Sequence, residues 1–190
     1  KSFLLLNTAK IPTNNRKHYL RKETASALFK LYKDFHKDHP EIPFKVISST
    51  RNFYDQKAIW ESKWNGKKLV DGQKLNKTIK DHLKRALFIL KYSSMPGTSR
   101  HHWGTDFDLN SLNNSYFSKG EGEILYNWMK KNAHKYGFCQ PYTSGRNRGY
   151  YEEKWHWSYL PLSKSFLHDW NKYYNDDKKF MKSLNFDGIK

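Results

Sequence analysis

An α+β fold is predicted by two features of the sequence: helical and strand-like patterns are mixed, and they follow no βαβ rhythm. The chain has 190 residues, enough for one domain with a sizeable core. Trp, Tyr and Phe make up 17% of it, which supplies side chains for a core and for the lining of a cleft. We therefore expect one folded unit of helices and short strands.

Five helices are predicted where apolar residues recur three or four positions apart. The first ends before Pro40, and Gly137 is the expected C-cap of the fourth. The apolar stripe of the third consists of Ile79, Leu83, Ala86, Leu87 and Leu90. The predicted helices span 22–37, 54–64, 77–92, 121–135 and 162–174.

Four short strands and two loops complete the prediction. Val46 and Ile47 are β-branched residues at the centre of the first strand. Gly, Pro and polar residues predict loops over 94–98 and 141–149. The charged residues after Tyr174 are expected to fray. The predicted strands span 44–48, 106–109, 138–140 and 155–160.

The charge of the chain limits its partners. Lys and Arg total 35 against 18 Asp and Glu, a formal net charge of +17. This balance favours polyanionic surroundings: nucleic acid, acidic polymers of a bacterial wall or an anionic membrane face. Since no helix-turn-helix, RNP or finger pattern is present, we expect no specific nucleic-acid binding.

Cysteine content and hydropathy exclude disulfide-linked, cysteine-metal and membrane-spanning classes of protein. The single Cys139 allows neither an intrachain disulfide nor a cysteine-based metal site. No window approaches the ~20 apolar residues of a membrane span. The apolar run Phe3–Leu6 is too short for a signal segment, so we expect a targeting segment to be absent from this chain.

Two segments, 99–108 and 153–156, contain residues that could form a catalytic metal site. Two imidazoles and a carboxylate suffice to hold zinc with one open position. A nearby glutamate could take a proton from water. On spacing alone, nine histidines in a basic chain also permit a chance cluster of structural or solvated side chains. The candidate ligands are His101, Asp108 and His156, and the candidate general base is Glu153.

The same segments resemble a known family. Segment 99–108 resembles the Ser-x-His-x-x-Gly-x-x-x-Asp signature of the LAS metallopeptidases, the group of lysostaphin, D-Ala-D-Ala metallopeptidases and Hedgehog-like domains. Segment 153–156 resembles their Glu-x-x-His pair. Segment 49–56 is similar to a Ser, Arg and Gln stretch of VanY-like D-alanyl-D-alanine carboxypeptidases, and 136–138 also matches. The resemblance covers about residues 20–160.

The resemblance implies a fold and a set of roles. A small antiparallel sheet flanked by helices would carry the metal site, as in Hedgehog and D-Ala-D-Ala peptidases. The core would span about 20–160, followed by a helical extension over about 161–190. Zn²⁺ would be held by His101, Asp108 and His156, with Glu153 as the base. Arg51, Gln56 and Ser99 would bind the terminal carboxylate of the substrate.

Physical arguments agree with one of these roles, add another and raise a difficulty for a third. A guanidinium pairs with a carboxylate through two hydrogen bonds, which suits Arg51. Asp106 and Asp108 would share one strand face, so Asp106 could accept a hydrogen bond from a liganding histidine; a solvent-facing Asp106 is the alternative. Glu153 and His156 have opposite strand parity, so Glu153 must lie in the turn before the strand or a bulge must intervene.

The expected activity is zinc-dependent hydrolysis of peptidoglycan stem peptides that end in D-Ala. L,D-carboxypeptidase, D,D-dipeptidase and endopeptidase activities remain open within this class, because Lys154, Asp106 and the loop 140–152 depart from the family pattern. A non-catalytic, zinc-containing wall-binding module is the alternative of another class, and the presence of Glu153 argues against it. We expect an extracytoplasmic monomer that can lie near anionic wall or membrane surfaces.

Overall fold

The computed structural model describes residues 2–147, 149–176 and 183–189. It has the α+β architecture that the sequence predicts, with two antiparallel sheets and flanking helices. The strands in the described ranges are β1 (Phe3–Leu5), β2 (Tyr19–Arg21), β3 (Val46–Ser48), β4 (Asp106–Leu109), β5 (Phe138–Cys139) and β6 (His156–Tyr159). The α-helices are α1 (Lys22–Asp38), α2 (Phe53–Trp64), α3 (Leu75–Thr78), α4 (His82–Ile89), α5 (Gly120–Asn132) and α6 (Leu160–Asp176).

The larger sheet has the order β3-β4-β6-β5, and all of its strand pairs are antiparallel. Its register pairs Asp108 with His156 and Asp106 with Ser158. Because side chains alternate along a strand, Asp106 and Asp108 share one face while Phe107 lies on the other. The smaller sheet pairs β1 with β2.

The main core lies between the larger sheet and helices α1 and α5. Helix α1 has a buried stripe at helical spacing, and its Phe35 packs edge-on against Trp128 of α5 at 5.3 Å. Each large apolar side chain buried here contributes roughly 1.5–3 kcal/mol. The fully buried side chains of this core include Leu6, Leu20, Leu28, Leu31, Phe35, Phe107, Leu109, Leu125 and Phe138.

A second core joins α2, α4 and a segment near the C-terminus. Helix α2 begins with a capping box in which Asn52 and Asp55 exchange hydrogen bonds with each other's backbone N–H groups. Its buried Trp60 packs edge-on against Phe186 at 5.9 Å. This core consists of Trp60, Trp64, Val70, Leu75, Ile89 and Phe186.

The predicted helix over 77–92 is wrong. The chain forms two helices there, because Asp81 caps the N-terminus of α4 by accepting from the backbone N–H of Lys84. The predicted apolar stripe also faces outward in part, since Leu83 is 69% exposed and Leu87 54% exposed. Ile89, which is absent from that stripe, is the residue buried in the second core.

The end of the chain also differs from the prediction. Helix α6 begins at Leu160 and extends to Asp176, beyond the predicted range. The fraying expected after Tyr174 is wrong for 184–189, because Phe186 is buried and Ile189 packs against the same core. Residues 177–182 and 190, which belong to the same prediction, lie outside the described residues. Within the described ranges, no helix is both long and apolar enough to cross a bilayer.

Candidate active site

The structure brings the three candidate metal ligands together. His101 lies in a 3₁₀ turn before β4, Asp108 lies on β4, and His156 begins β6. His101 Nε2 is 3.4 Å from Asp108 Oδ2, and His156 Nδ1 is 3.0 Å from Asp108 Oδ1. All three residues are buried, and one donor atom of each lies within 4.8 Å of the others.

A backbone carbonyl fixes the tautomer of His101. Its Nδ1 lies 2.8 Å from the carbonyl oxygen of Ser49, which can only accept, so Nδ1 carries the hydrogen. The lone pair is therefore on Nε2, the atom that faces Asp108. Burial and the charge of Arg51 lower the pKa of His101 to about 4, so the ring is neutral near pH 7.

Asp106 fixes the orientation of His156. Its Oδ1 lies 2.9 Å from Nε2 of His156 and also accepts from Arg100 Nε at 2.8 Å. Its Oδ2 accepts from Thr105 and Ser158. Burial opposes the charge of the carboxylate, but the hydrogen bond from His156 and the charges of His156 and Arg100 lower the pKa of Asp106. Asp106 is thus an ionised acceptor, and Nδ1 of His156 faces the cluster.

The hydrogen-bond chemistry of this cluster fits a divalent cation. Burial opposes a charge on His156, but its hydrogen bonds to Asp106 and Asp108 raise its pKa to about 9. Its Nδ1 lies 3.0 Å from Asp108 Oδ1 and 3.8 Å from Glu153 Oε2, so this nitrogen faces carboxylates with which it could share a cation. Two histidines oriented by acceptors on their outer nitrogens, with one carboxylate, form a donor set typical of zinc sites.

Glu153 lies in the turn that precedes β6. The backbone N–H of His156 donates to the carbonyl of Glu153 at 3.3 Å, which closes the turn and resolves the parity conflict. Glu153 Oε2 is 3.8 Å from His156 Nδ1. Burial raises the pKa of Glu153 to about 7, against the lowering effect of His156. A carboxyl group with a pKa near neutrality is suited to accept and return a proton.

Arg51 lies at the start of the segment that leads into α2. Its Nη1 donates to Gln56 Oε1 at 2.9 Å, and its Nη2 is 4.0 Å from Asp108 Oδ2. Its Nε is buried and has no hydrogen-bond partner in the described part of the chain. Gln56 also donates to the carbonyl of Ser94 at 2.7 Å, so both ends of its amide are engaged. Gln56 therefore orients the guanidinium of Arg51.

Ser99 is buried beside the same site. Its hydroxyl oxygen caps the 3₁₀ turn by accepting from the backbone N–H of His101 at 3.3 Å. Because a hydroxyl can accept and donate at once, the proton of Ser99 is available to another group. Ser99, Arg51 and Gln56 all line the cleft that contains the three candidate ligands.

The cleft has a volume of about 710 Å³. Tyr142 packs against the His156 ring with a centroid distance of 4.8 Å, and Tyr150 stacks on Tyr142 at 4.5 Å. The hydroxyl groups of Tyr150 and Ser94 are hydrogen-bonded. The loop 140–152, which departs from the family pattern, thus supplies part of the cleft wall.

Sequence reasoning missed several residues of this site. Arg100 supports Asp106, and the sequence held no signal for this pair, because the burial of Asp106 that calls for a cation is seen only in the structure. Lys63 lines the cleft two helical turns after Gln56, a spacing that the helix pattern would have revealed. Ser49 contributes its backbone carbonyl. Because every residue has such a group, the residue type at this position could not predict the contact.

Comparison with known proteins agrees with this geometry. A family model described as VanY, D-alanyl-D-alanine carboxypeptidase, matches residues 17–162. The chain is 28% identical over 153 residues to YodJ of Bacillus subtilis (strain 168), whose name assigns it provisionally to the carboxypeptidases. That match covers 76% of the chain and 48% of YodJ, so the chain spans about half the length of this relative.

Two solved structures share the fold. The LD-carboxypeptidase LdcB, described with respect to peptidoglycan recognition, aligns with a TM-score of 0.63 at 21% identity, over 89% of this chain and 73% of LdcB. The vancomycin-resistance D,D-pentapeptidase VanY of the VanB-type cassette, in complex with Zn(II), aligns with a TM-score of 0.56 at 20% identity, over 83% of each chain. The family model covers most of the chain and all of its candidate site residues, and the chain therefore belongs to the VanY family of D-alanyl-D-alanine carboxypeptidases.

Proposed function

We propose that this chain is a zinc-dependent carboxypeptidase that removes the C-terminal D-Ala from peptidoglycan stem peptides. One observation carries the proposal: His101, Asp108 and His156 converge in a single cleft that Glu153 and Arg51 also line. A metal site, a general base and a carboxylate-binding cation are the three elements that such a reaction requires.

The proposed zinc ligands are Nε2 of His101, a carboxylate oxygen of Asp108 and Nδ1 of His156. When bound, zinc supplies a Lewis acid that polarises the scissile carbonyl and lowers the pKa of water. The choice of zinc is supported by the donor set and by the Zn(II) complex of the VanY relative. Asp106 supports the site by holding His156 through Nε2.

Glu153 moves the proton in this proposal. Its carboxylate lies beside the proposed ligand His156 and accepts the proton of the attacking water. The same group then donates that proton to the amine of the leaving residue. A group with a pKa near 7 can act in both directions, which a fully exposed glutamate would do less well.

Arg51 binds the free C-terminal carboxylate of the substrate in this proposal. Gln56 holds Nη1, and Nε has no partner among the described groups, so N–H donors remain for a ligand. A carboxylate can accept two of them side by side, and Ser99 can add a hydroxyl donor. Binding of a free C-terminus is the property that makes the activity a carboxypeptidase activity.

D,D cleavage is our leading assignment within the family, and L,D-carboxypeptidase, D,D-dipeptidase and endopeptidase activities are the alternatives. Relatives of both D,D and L,D type share the fold, so the fold does not separate them. Glu153 beside the metal cluster favours an enzyme over a non-catalytic wall-binding module. We further propose that the protein works outside the cytoplasm as a monomer and that its +17 charge favours anionic wall or membrane surfaces.

Digestion of purified muropeptides, followed by mass spectrometry, tests the proposed function. The zinc-loaded protein should convert pentapeptide stems to tetrapeptides by loss of one alanine. Conversion of tetrapeptides to tripeptides would reassign it as an L,D-carboxypeptidase, loss of Ala-Ala as a dipeptidase, and cleavage of cross-links as an endopeptidase. If no muropeptide loses a residue, the proposed peptidase function is wrong.

A further inference from the structure

Lys63 is a buried cation in the wall of the cleft. The residue is 8% exposed and lies on α2, seven positions after Gln56. Seven positions are two helical turns, so both side chains lie on the helix face that lines the cleft. The catalytic roles proposed above make no use of Lys63.

The ammonium group of Lys63 has neutral partners. It donates to the hydroxyl of Ser93 and, at 3.4 Å, to the carbonyl of Tyr92. An ammonium has three donors, and among the described residues no carboxylate oxygen lies within 4.0 Å of Lys63 Nζ. Burying a charge without an opposite charge is costly, and the burial lowers the pKa of Lys63 to about 8.

This cation is connected to the carboxylate-binding group. Arg51 donates to Gln56, and Gln56 donates to the carbonyl of Ser94. Ser94 follows Ser93, which accepts from Lys63. The chain of contacts links Lys63 to Gln56, the residue that holds Arg51. Four other basic residues that line the cleft are exposed to solvent: Arg16, Lys17, Lys68 and Lys91. Arg51 and Lys63 are the two that are at least partly buried. A peptide with a single carboxylate would satisfy one of them.

We propose that Lys63 binds a second carboxylate of the peptide, an acidic group other than the C-terminal carboxylate that Arg51 binds. This inference rests on the proposed function, since it assigns a further part of the same substrate. The charge of Glu153 acts on Lys63 from beyond 4.0 Å. An anion that enters the cleft would supply the close opposite charge that the described side chains do not. For a released D-Ala, this group belongs to the retained part of the peptide. The other source is an acidic released residue, which would mean that the released residue is not D-Ala.

Paired peptides distinguish these two sources. One pair carries D-Glu or D-Gln as the released residue, and a second pair carries Glu or Gln at a retained position, with all other residues the same. Because a charged hydrogen bond is roughly twice as strong as a neutral one, the wild type should cleave the acidic member of one pair at least about tenfold more efficiently in kcat/KM. The pair that shows the preference locates the acidic group.

Variants then assign the preference to Lys63. Lys63→Met should abolish it, and Lys63→Arg should retain a part. Lys67→Met is the matched control, because Lys67 is exposed on the neighbouring turn and does not line the cleft. If Lys63 only stabilises the segment of Ser93 and Tyr92, Lys63→Met will lower the melting temperature and reduce the cleavage rate of both peptides in each pair equally. That result would overturn the proposal.

The outcomes also separate this inference from the proposed function. Cleavage without any acidic preference in the wild type would overturn the role of Lys63 and leave the carboxypeptidase assignment intact. Absence of cleavage of every peptide would overturn the assignment. In that case, calorimetric binding of the same peptide pairs to the wild type still tests Lys63, because equal affinity within both pairs would exclude it.

Discussion

At the residue scale, the buried carboxylate of Asp106 determines how His156 presents its lone pair. Asp106 accepts from His156 and Arg100 through Oδ1. In Asp106→Asn, the new amide can no longer accept from all of these donors, and the histidine loses its fixed orientation. Groups that orient a liganding histidine typically contribute 10–100-fold in metal affinity.

We therefore predict that Asp106→Asn weakens zinc binding by about 10–100-fold, measured by competition with a chromogenic chelator. Asp169→Asn is the control, because Asp169 is exposed on α6. Thermal melts of both variants should be recorded, so that loss of folding is not mistaken for loss of affinity. Unchanged zinc affinity in a folded Asp106→Asn protein would show that His156 does not need this acceptor.

Glu153 is predicted to affect turnover and not metal content. Glu153→Gln removes the proton acceptor and keeps the size of the side chain. Turnover should fall on the order of 10²–10⁴-fold while zinc content stays the same. Steady-state kinetics and metal analysis of the same preparation measure both, and Glu152→Gln is the neighbouring control. Turnover within a few-fold of the wild type would mean that another group is the base.

Arg51 is predicted to set the preference for a free C-terminus. Arg51→Ala should lower kcat/KM at least about tenfold on free-acid peptides, since a charged hydrogen-bonded pair is worth roughly 1.5–3 kcal/mol. It should leave amidated peptides unaffected. Arg51→Lys should recover little because an ammonium cannot replace the planar fork. Arg16→Ala is the control, because Arg16 lines the cleft but is exposed. Equal cleavage of free and amidated peptides by the wild type would indicate an endopeptidase.

Site residues could be predicted where they lie close to one another in the sequence, and not where they contact residues that are distant in the sequence. His101 and Asp108 lie within eight residues, and Glu153 and His156 within four, so local spacing and family resemblance identify them. Their support comes from distant positions. Ser49 meets His101 across 52 positions through its backbone, and Lys63 meets Ser93 across 30. Contacts of this kind arise from tertiary packing, which no local pattern contains.

At the scale of elements, the second core explains why the described C-terminal segment is ordered. Trp60 donates from its indole to the carbonyl of Asp187 at 2.8 Å, and Asn65 donates to its carboxylate. Gly188 has a φ of 82°, and a Cβ there would lie 2.5 Å from the Trp64 ring. The segment therefore packs closely on α2, the helix that carries Gln56.

We predict that Phe186→Ala destabilises the protein by roughly 3–5 kcal/mol, because it removes a ring buried against Trp60. Denaturant unfolding measures this change. Leu167→Ala is the matched control, since Leu167 is 41% exposed on α6. A loss below about 1 kcal/mol would mean that segment 184–189 contributes little to the second core.

Elements were predictable where local signals agree with packing. The predictions for α1, α2 and β4 match the structure to within about one residue. In α1 the apolar periodicity follows the buried face. The buried face of α2 also contains the polar Gln56 and Lys63, and all four residues of β4 are buried. The prediction of one helix over 77–92 failed because the apolar periodicity is helical throughout this region. The structure instead has two helices: α3 begins at the buried Leu75, and Asp81 caps the N-terminus of α4. Strands β1 and β2 were missed because three residues are too few to show alternation and because neither strand has the β-branched pair that identified β3.

For the whole molecule, the cleft combines two structural units with different tasks. The larger sheet and the turn before β4 carry His101, Asp108 and His156. Arg51 and α2, backed by the second core, carry the proposed substrate contacts. The proposed catalysis needs both units: the first would hold the metal, and the second would bind the substrate.

The most direct test of this account is metal content together with activity on a D-Ala-D-Ala peptide, before and after chelation. We predict about one zinc per chain, loss of activity when zinc is removed, and recovery when Zn²⁺ is restored. His101→Ala, Asp108→Ala and His156→Ala should each reduce zinc content, whereas Arg51→Ala should not. A metal-free preparation that retains full activity would contradict the metal-dependent mechanism.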